Sequence, residues 1–217
     1  MVQKSRKSSR APIEARIEPK RRGRPRAYEP NVALGKALEL FRKGGFAATS
    51  LDDLSAATGM NRPSLYGAFG DKRELYIKSY QRYRDDARAA TVEIFRQEMP
   101  LRKRLERMYS VALDIHFAGE AGPTGCFTVM TAGSEAITDP DIRAMVLDAL
   151  SELDKAFARC FSSAKEKGEL GEDADPLVLG QLASATVHTI AIRSRAGVPR
   201  KELEALVSGA LDVMCAG

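Results

Sequence analysis

The chain has no tryptophan, two histidines, three cysteines and only 6% aromatic residues in 217 positions. Each shortage closes off a class of function. His116 and His188 are far apart in the chain, and Cys126, Cys160 and Cys215 are scattered, so no ligand spacing for a metal is present. An odd cysteine count without close pairing fits free thiols in a reducing cytoplasm better than a disulfide framework. No apolar run reaches the length of a membrane span, and no apolar stretch follows the basic N-terminus as a secretory signal requires. A cytoplasmic protein without membrane contact is expected. The sequence also lacks an HExxH or CxxC motif, a glycine-rich phosphate loop after a strand, and a nucleophile partnered by histidine and acid. Neither an enzyme nor a cofactor is expected. No segment alternates like a strand, which predicts an all-α fold.

Positive charge is present but unevenly placed. Residues 1–26 hold ten lysines and arginines against two glutamates, so a chain of net charge +5 has a mildly acidic body behind a basic arm. Such a block either binds a polyanion or is simply solvated. Within it, Arg22, Arg24 and Arg26 flank Gly23 and Pro25 in an RGRP core that resembles the AT-hook motif. Slim, extended backbone with flanking arginines suits a narrow minor groove.

The stretch from Thr49 to Leu75 is the most informative. Ser50 with Asp53 forms a capping-box pattern, Leu51, Leu54 and Ala57 recur at helical spacing, and Gly59 ends the helix. Asn61 can cap a second helix with Pro63 in its first turn. Leu65 and Phe69 then face inward, leaving Arg62, Pro63, Ser64, Tyr66 and Gly67 outward. A helix, glycine turn and second helix with a small polar outer face is the helix-turn-helix pattern for duplex DNA. Asp71 and Glu74 make another capping box, and Lys72 and Arg73 sit in the first turn of the helix it opens. Cations there oppose the helix dipole, yet beside free backbone N–H groups they can hold a DNA phosphate.

The other helices are expected from about Asn31 to Lys43, stopped by Gly44-Gly45; from Asp71 to about Glu98; from Pro100 through Ile115; from Cys126 to about Ile137; from Pro140 to near Gly168; from Pro176 through Ile190; and from Pro199 through Met214. The expected organisation is a basic arm over 1–26, a three-helix DNA-binding domain over 27–75, and a helical ligand-binding and dimerisation domain over 76–217. The helix after Pro176 is apolar nearly all round, which leaves a subunit interface or a fully internal helix. The interface reading names Leu179, Leu182, Ala183, Val187, Leu203, Leu206, Val207 and Ala210.

The motif resembles the tetracycline-repressor (TetR/AcrR-like) family of bacterial transcriptional regulators. The resemblance is carried by Leu40-Phe41, Gly45-Phe46, Thr49-Ser50-Leu51, Leu54-Ser55, Gly59-Met60-Asn61, Ser64-Leu65-Tyr66, Phe69, Lys72 and Leu75. It implies a homodimer that binds a palindromic operator, usually represses, and is commonly released by a small molecule in the C-terminal domain. It further implies Ser50, Tyr66 and Lys72 as phosphate contacts, with Arg62, Pro63 and Ser64 near base edges beside the capping Asn61. The fork of Arg62 suits a guanine. Gly67-Ala68 departs from the bulkier pair at these positions in the family.

The C-terminal half resembles a subgroup through Gly125-Cys126-Phe127, Glu135 and Asp139-Pro140, some of whose regulators sense electrophiles or oxidants with a cysteine near this place. Cys126 is thus either a sensor or a small buried apolar residue. A ligand pocket would be lined by Leu105, Met108, Tyr109, Ala112, His116, Cys126, Phe127, Met130 and Phe157, positions that equally suit a plain core. The competing function is an architectural binder of A·T-rich DNA dominated by its basic arm.

Overall fold

A computed structural model describes residues 29–119 and 122–216, and the arm with Arg22, Arg24 and Arg26 lies outside them. The described residues form ten helices and no strand. They are α1 (Pro30–Ala48), α2 (Leu51–Thr58), α3 (Arg62–Phe69), α4 (Lys72–Arg96), α5 (Leu101–Phe117), α6 (Phe127–Ala132), α7 (Glu135–Thr138), α8 (Pro140–Glu166), α9 (Pro176–Arg195) and α10 (Arg200–Met214). Among the described residues no helix is long and apolar enough to cross a membrane.

Local chemistry sets most of these boundaries. Both capping boxes form: Ser50 with Asp53 opens α2, and Asp71 with Glu74 opens α4. Asp139 and Asp175 cap α8 and α9, each followed by a proline whose missing N–H is harmless there. Two expectations need correction. The first helix does not stop at Gly44-Gly45. It kinks where Gly45 takes φ 77°, ψ 176°, then resumes for a turn to Ala48. The segment from Cys126 to Ile137 is two short helices, because Gly133 and Ser134 leave helical geometry between them.

The chain packs around two cores. The first joins Phe41, Leu54, Leu65, Phe69, Leu75, Tyr76 and Tyr80 to Phe127, Ala136, Ile142 and Val146 from α6, α7 and α8. Phe127 is its knot, edge-on to Tyr76 at 5.3 Å, Tyr80 at 5.6 Å and Tyr83 at 5.8 Å. The second core gathers α5, α9 and α10 around Phe157 and Phe161 of α8. α8 and α9 approach closely at Gly180, where an added Cβ would lie 2.7 Å from the Ala158 nitrogen.

Candidate nucleic-acid interface and effector cavity

The reading helix is held from beneath and left bare above. Leu65 and Phe69 are buried against Leu54 and Met60, while Arg62, Pro63, Tyr66 and Gly67 are exposed and Ser64 is half-buried. Gly59 makes the turn with φ 71°, ψ 16°, a left-handed conformation that suits glycine. Asn61 accepts from the Ser64 backbone N–H at 2.9 Å, so its side chain is committed to starting α3. The Ser50 hydroxyl is similarly occupied, donating to Asp53 at 2.7 Å and accepting from its backbone N–H at 3.0 Å. This bonding holds the Asp53 carboxyl below its ordinary pKa.

Three cations border this surface, and each has a different partner. Arg62 grips both oxygens of Asp52 at 2.8 Å. The pair is exposed and therefore weak, so the guanidinium can exchange the aspartate for a base edge or a phosphate. Lys72 stands over the Phe46 ring at 4.2 Å, a cation–π contact that keeps its ammonium at the start of α4. Arg73 is not a free phosphate ligand. Its fork is bound to Asp139 at 2.6 and 2.9 Å and to Asp141 at 2.7 Å, which locks the start of α4 to the start of α8. Arg73 in turn pulls the Asp139 carboxyl down to about pKa 2.

A second joint was not foreseen in the sequence. Arg42, near the end of α1, is buried and donates to the Ile115 carbonyl at 2.9 Å and the Thr124 hydroxyl at 2.7 Å. Arg195 of α9 donates back to the carbonyls of Arg42 at 3.0 Å and Thr124 at 2.8 Å. Amphipathic reading places Arg42 on the polar side of α1, and only partners more than seventy residues away reveal its role.

Behind these joints lies a cavity of about 490 Å³ between α4, α5 and α8, closed at its inner end by α9 and the start of α6. That volume is within the roughly 300–1,000 Å³ usual for small-molecule sites. Met108, Ala112, His116 and Cys126 line it as expected. Leu105, Tyr109, Phe127 and Phe157 do not. They are fully buried in the two cores, because helical spacing identifies an inward face but not whether that face meets atoms or space. Met130 borders a smaller recess with Cys126, Ala191 and Arg195.

Several lining residues were missed, among them Tyr83, Arg84 and Arg88 of α4, Glu152 of α8 and His188 of α9. Spacing offered a faint signal, since Tyr83, Ala87 and Ala90 share the inward side of one helix. Tyr83 donates to the Cys126 sulfur at 3.4 Å, and burial together with that cysteine pushes its phenol well above the ordinary pKa. His116 is only 2% exposed, and its Nδ1 has no hydrogen-bond partner. Burial, then Arg42 and His188, lower its pKa to about 4, so the imidazole is neutral at pH 7. Burial lowers His188 as well. Among the described residues no group of His, Cys, Asp and Glu is arranged to hold a metal ion.

The expected subunit contacts are divided. Ala183, Val187, Leu203 and Val207 are buried in the chain's own core and cannot also form an outer surface. Leu179, Leu206 and Ala210 are partly buried, and Leu182 is 50% exposed. It belongs to an apolar strip with Leu177 and Val178 of α9, while Ile192 and Val213 are also exposed.

Comparison with known proteins identifies this architecture. Residues 33–78 match the family described as bacterial regulatory proteins, tetR family, and residues 100–208 match the tetracyclin repressor-like C-terminal domain. The chain is 28% identical to the HTH-type transcriptional repressor ComR of Escherichia coli strain K12, over 85% of this chain and 88% of that protein. The solved structure of the TetR family transcriptional regulator CifR as a cysteine mutant with 26-base-pair operator DNA aligns with TM-score 0.75 and 25% identity, covering 87% of this chain and 98% of that one. A TetR family regulator from Cytophaga hutchinsonii aligns with TM-score 0.74 at 20% identity, over 85% and 92% of the two chains. The two matched segments span most of the chain and include the helix-turn-helix and the cavity-lining parts of α5, α8 and α9: this protein belongs to the TetR family of DNA-binding transcriptional regulators.

Proposed function

We propose that this chain is a repressor that binds a palindromic operator as a homodimer and leaves it when a small molecule enters the α4–α5–α8 cavity. The observation that carries the reading is that one helix serves both ends. α4 begins at Lys72, beside the helix-turn-helix, and four turns later forms a wall of the cavity with Ala87, Ala90 and Thr91. An occupant that favours one placement of α4 changes the placement of α3, and it does so only by binding the two states unequally.

Dimerisation is supported by the apolar strip on α9, since exposed patches of this kind mark association surfaces. Pairing also answers an electrostatic need. Residues 27–75 carry six basic and six acidic side chains, so a single unit has little general attraction for phosphate. Two copies on paired half-sites gain affinity by linkage instead. The contacts proposed to DNA are Ser50, Arg62, Pro63, Ser64, Tyr66 and Lys72, with the arginines of the arm in the adjacent minor groove. A footprint over the DNA upstream of the gene tests the reading. A protected palindrome supports it, and uniform or absent protection overturns it.

A specific observation supports an electrophile as a second kind of effector. Cys126 reaches both the main cavity and the smaller recess, whereas burial raises the thiol pKa of Cys160 and Cys215 and so suppresses their reactive form. N-ethylmaleimide treatment that lowers operator affinity in the wild type but not in Cys126→Ser supports this route. Unchanged affinity in the wild type removes it.

A further inference from the structure

The cavity is chemically asymmetric, and the asymmetry specifies what it takes. Its middle is apolar and widened by alanines: Ala87 and Ala90 on α4, Ala112 on α5, Ala149 and Ala156 on α8. Larger side chains at these places would fill the space, so the void is written into the sequence. The rim between α4 and α8 is basic. Arg84 bridges the gap to Glu152 at 3.1 Å, which neutralises both. Arg88, Lys155 and Arg159 also border the cavity, are exposed, and among the described residues have no carboxylate within salt-bridge distance. The inner end is polar and has no carboxylate in its lining, and the nearby Arg42 guanidinium is already engaged by the Ile115 carbonyl and the Thr124 hydroxyl. There His116 presents a buried imidazole with an unsatisfied Nδ1, a condition that costs free energy until a partner arrives.

We propose that the occupant of this cavity is an amphipathic organic acid whose carboxylate is held by Arg88, Lys155 and Arg159, whose apolar body lies along the alanine walls, and whose far end carries a hydroxyl or carbonyl for His116. The inference rests on the reading that this cavity receives the effector, and it adds the chemical class. A cationic ligand is disfavoured by the three unpaired cations at the rim. An ionised group at the inner end is disfavoured by burial, the leading reason the imidazole there is neutral, and the nearby Arg42 is already bonded to Glu39, Ile115 and Thr124. Charge therefore belongs outside, and hydrogen bonding without charge belongs inside.

The test uses the purified full-length protein and three probes of equal chain length kept below micelle formation: decanoate, decanamide and decylamine. Exposed ion pairs are individually weak, and three together predict decanoate binding about tenfold tighter than the other two by calorimetry. In the Arg88→Ala/Lys155→Ala/Arg159→Ala variant that preference is expected to vanish, with decanamide binding unchanged. These side chains are on the surface, so the fold is expected to survive. Ala149→Leu, which fills the cavity, is expected to abolish binding of all three. Omega-hydroxydecanoate is expected to bind about threefold or more tighter than decanoate, and His116→Leu should erase that gain.

Equal binding of the three heads, preference for the amine, absence of binding by any, or binding of decanoate that survives Ala149→Leu would overturn the assignment. Equal affinity of decanoate and its hydroxylated form would remove His116 from it. Operator DNA separates this proposal from the one beneath it. Decanoate that binds as expected yet leaves operator affinity unchanged refutes release by ligand while the ligand class stands. An amine or amide that binds at least as tightly as decanoate and releases DNA refutes the ligand class while release stands.

Discussion

α4 behaves as two helices in packing terms. Its first half is wedged: Leu75, Tyr76 and Tyr80 are almost fully buried, Tyr76 hydrogen-bonds Thr131 at 2.8 Å and Glu135 at 2.9 Å, and Phe127 caps the cluster edge-on. The stretch after it borders space, with Ala87 and Ala90 lining the cavity where the first half has rings, until Ile94 and Phe95 anchor the helix end in the second core. Close-packed interiors shift between discrete arrangements and deform little otherwise. On the proposed reading, a ligand acts where atoms are missing, and the packed half carries the displacement to α3 as a rigid piece: the hollow stretch would receive and the wedged half transmit.

Breaking the wedged half has the largest expected effect. Phe127→Ala removes a fully buried ring, at about 3–5 kcal/mol. For a chain of this size that corresponds to a fall in melting temperature of roughly 10 °C in a thermal scan. Filling the hollow half should do the reverse or nothing. Ala149→Leu places methyl groups in existing space, so a urea titration is expected to move by less than about 1.5 kcal/mol. If both substitutions cost alike, the two halves are packed alike and the comparison fails.

The neutral histidine at the inner end gives the next effect. The pKa of His116 falls from 6.5 to about 4 on folding, so the unfolded chain takes up the proton more readily. Its contribution is complete above pH 6.5, and stability is lost as pH drops from there toward 4, by up to about 3 kcal/mol. Urea titrations across that window should show a steeper loss for the wild type than for His116→Gln. Equal slopes would mean that the imidazole is hydrated rather than buried.

The wall opposite α4 can be tested in the same way. Gly180→Ala would press a methyl group onto the Ala158 backbone, where Cα is 2.9 Å away, and is expected to cost about 1–3 kcal/mol. A neutral result would show that α8 is free to slide, and that α4 is not the sole moving wall. The smallest effect on the fold is expected at the DNA face. Arg62→Ala should leave the melting temperature unchanged and reduce discrimination at one operator position by roughly tenfold or more in a competition assay.

The parts of this molecule that could be read from its sequence are those fixed by near neighbours. Ser50 and Asp53, Asp71 and Glu74, Gly59, and Asp139 followed by Pro140 each settle their conformation within four residues, and all form as expected. The cavity was legible only in part. Met108 and Phe157 have the same apolar character and the same helical periodicity, yet one borders space and the other is clasped between Phe95 and Tyr109. That difference depends on what three other helices place opposite them. The joints at Arg42 and Arg73 were hidden for the same reason, since a long cationic side chain reads as surface until a distant carboxylate or carbonyl claims it. α9 shows the converse. Its composition suggested a helix covered on all sides, but in one chain a face with Leu177 and Val178 stays bare.

On the proposed mechanism the two halves of α4 are coupled, with Arg73 fixing the wedged half to Asp139. The direct test is the ratio of operator affinities with the cavity empty and loaded, measured in the wild type and in Arg73→Ala. The load is decanoate, or any compound that stabilises the protein in a thermal-shift screen and is excluded by Ala149→Leu. A ratio of about tenfold or more is expected in the wild type, mirrored by an equal loss of ligand affinity when operator is bound. A ratio near one is expected in Arg73→Ala, with operator and ligand each still bound separately. The same ratio in both proteins would show that α4 is not coupled through Arg73.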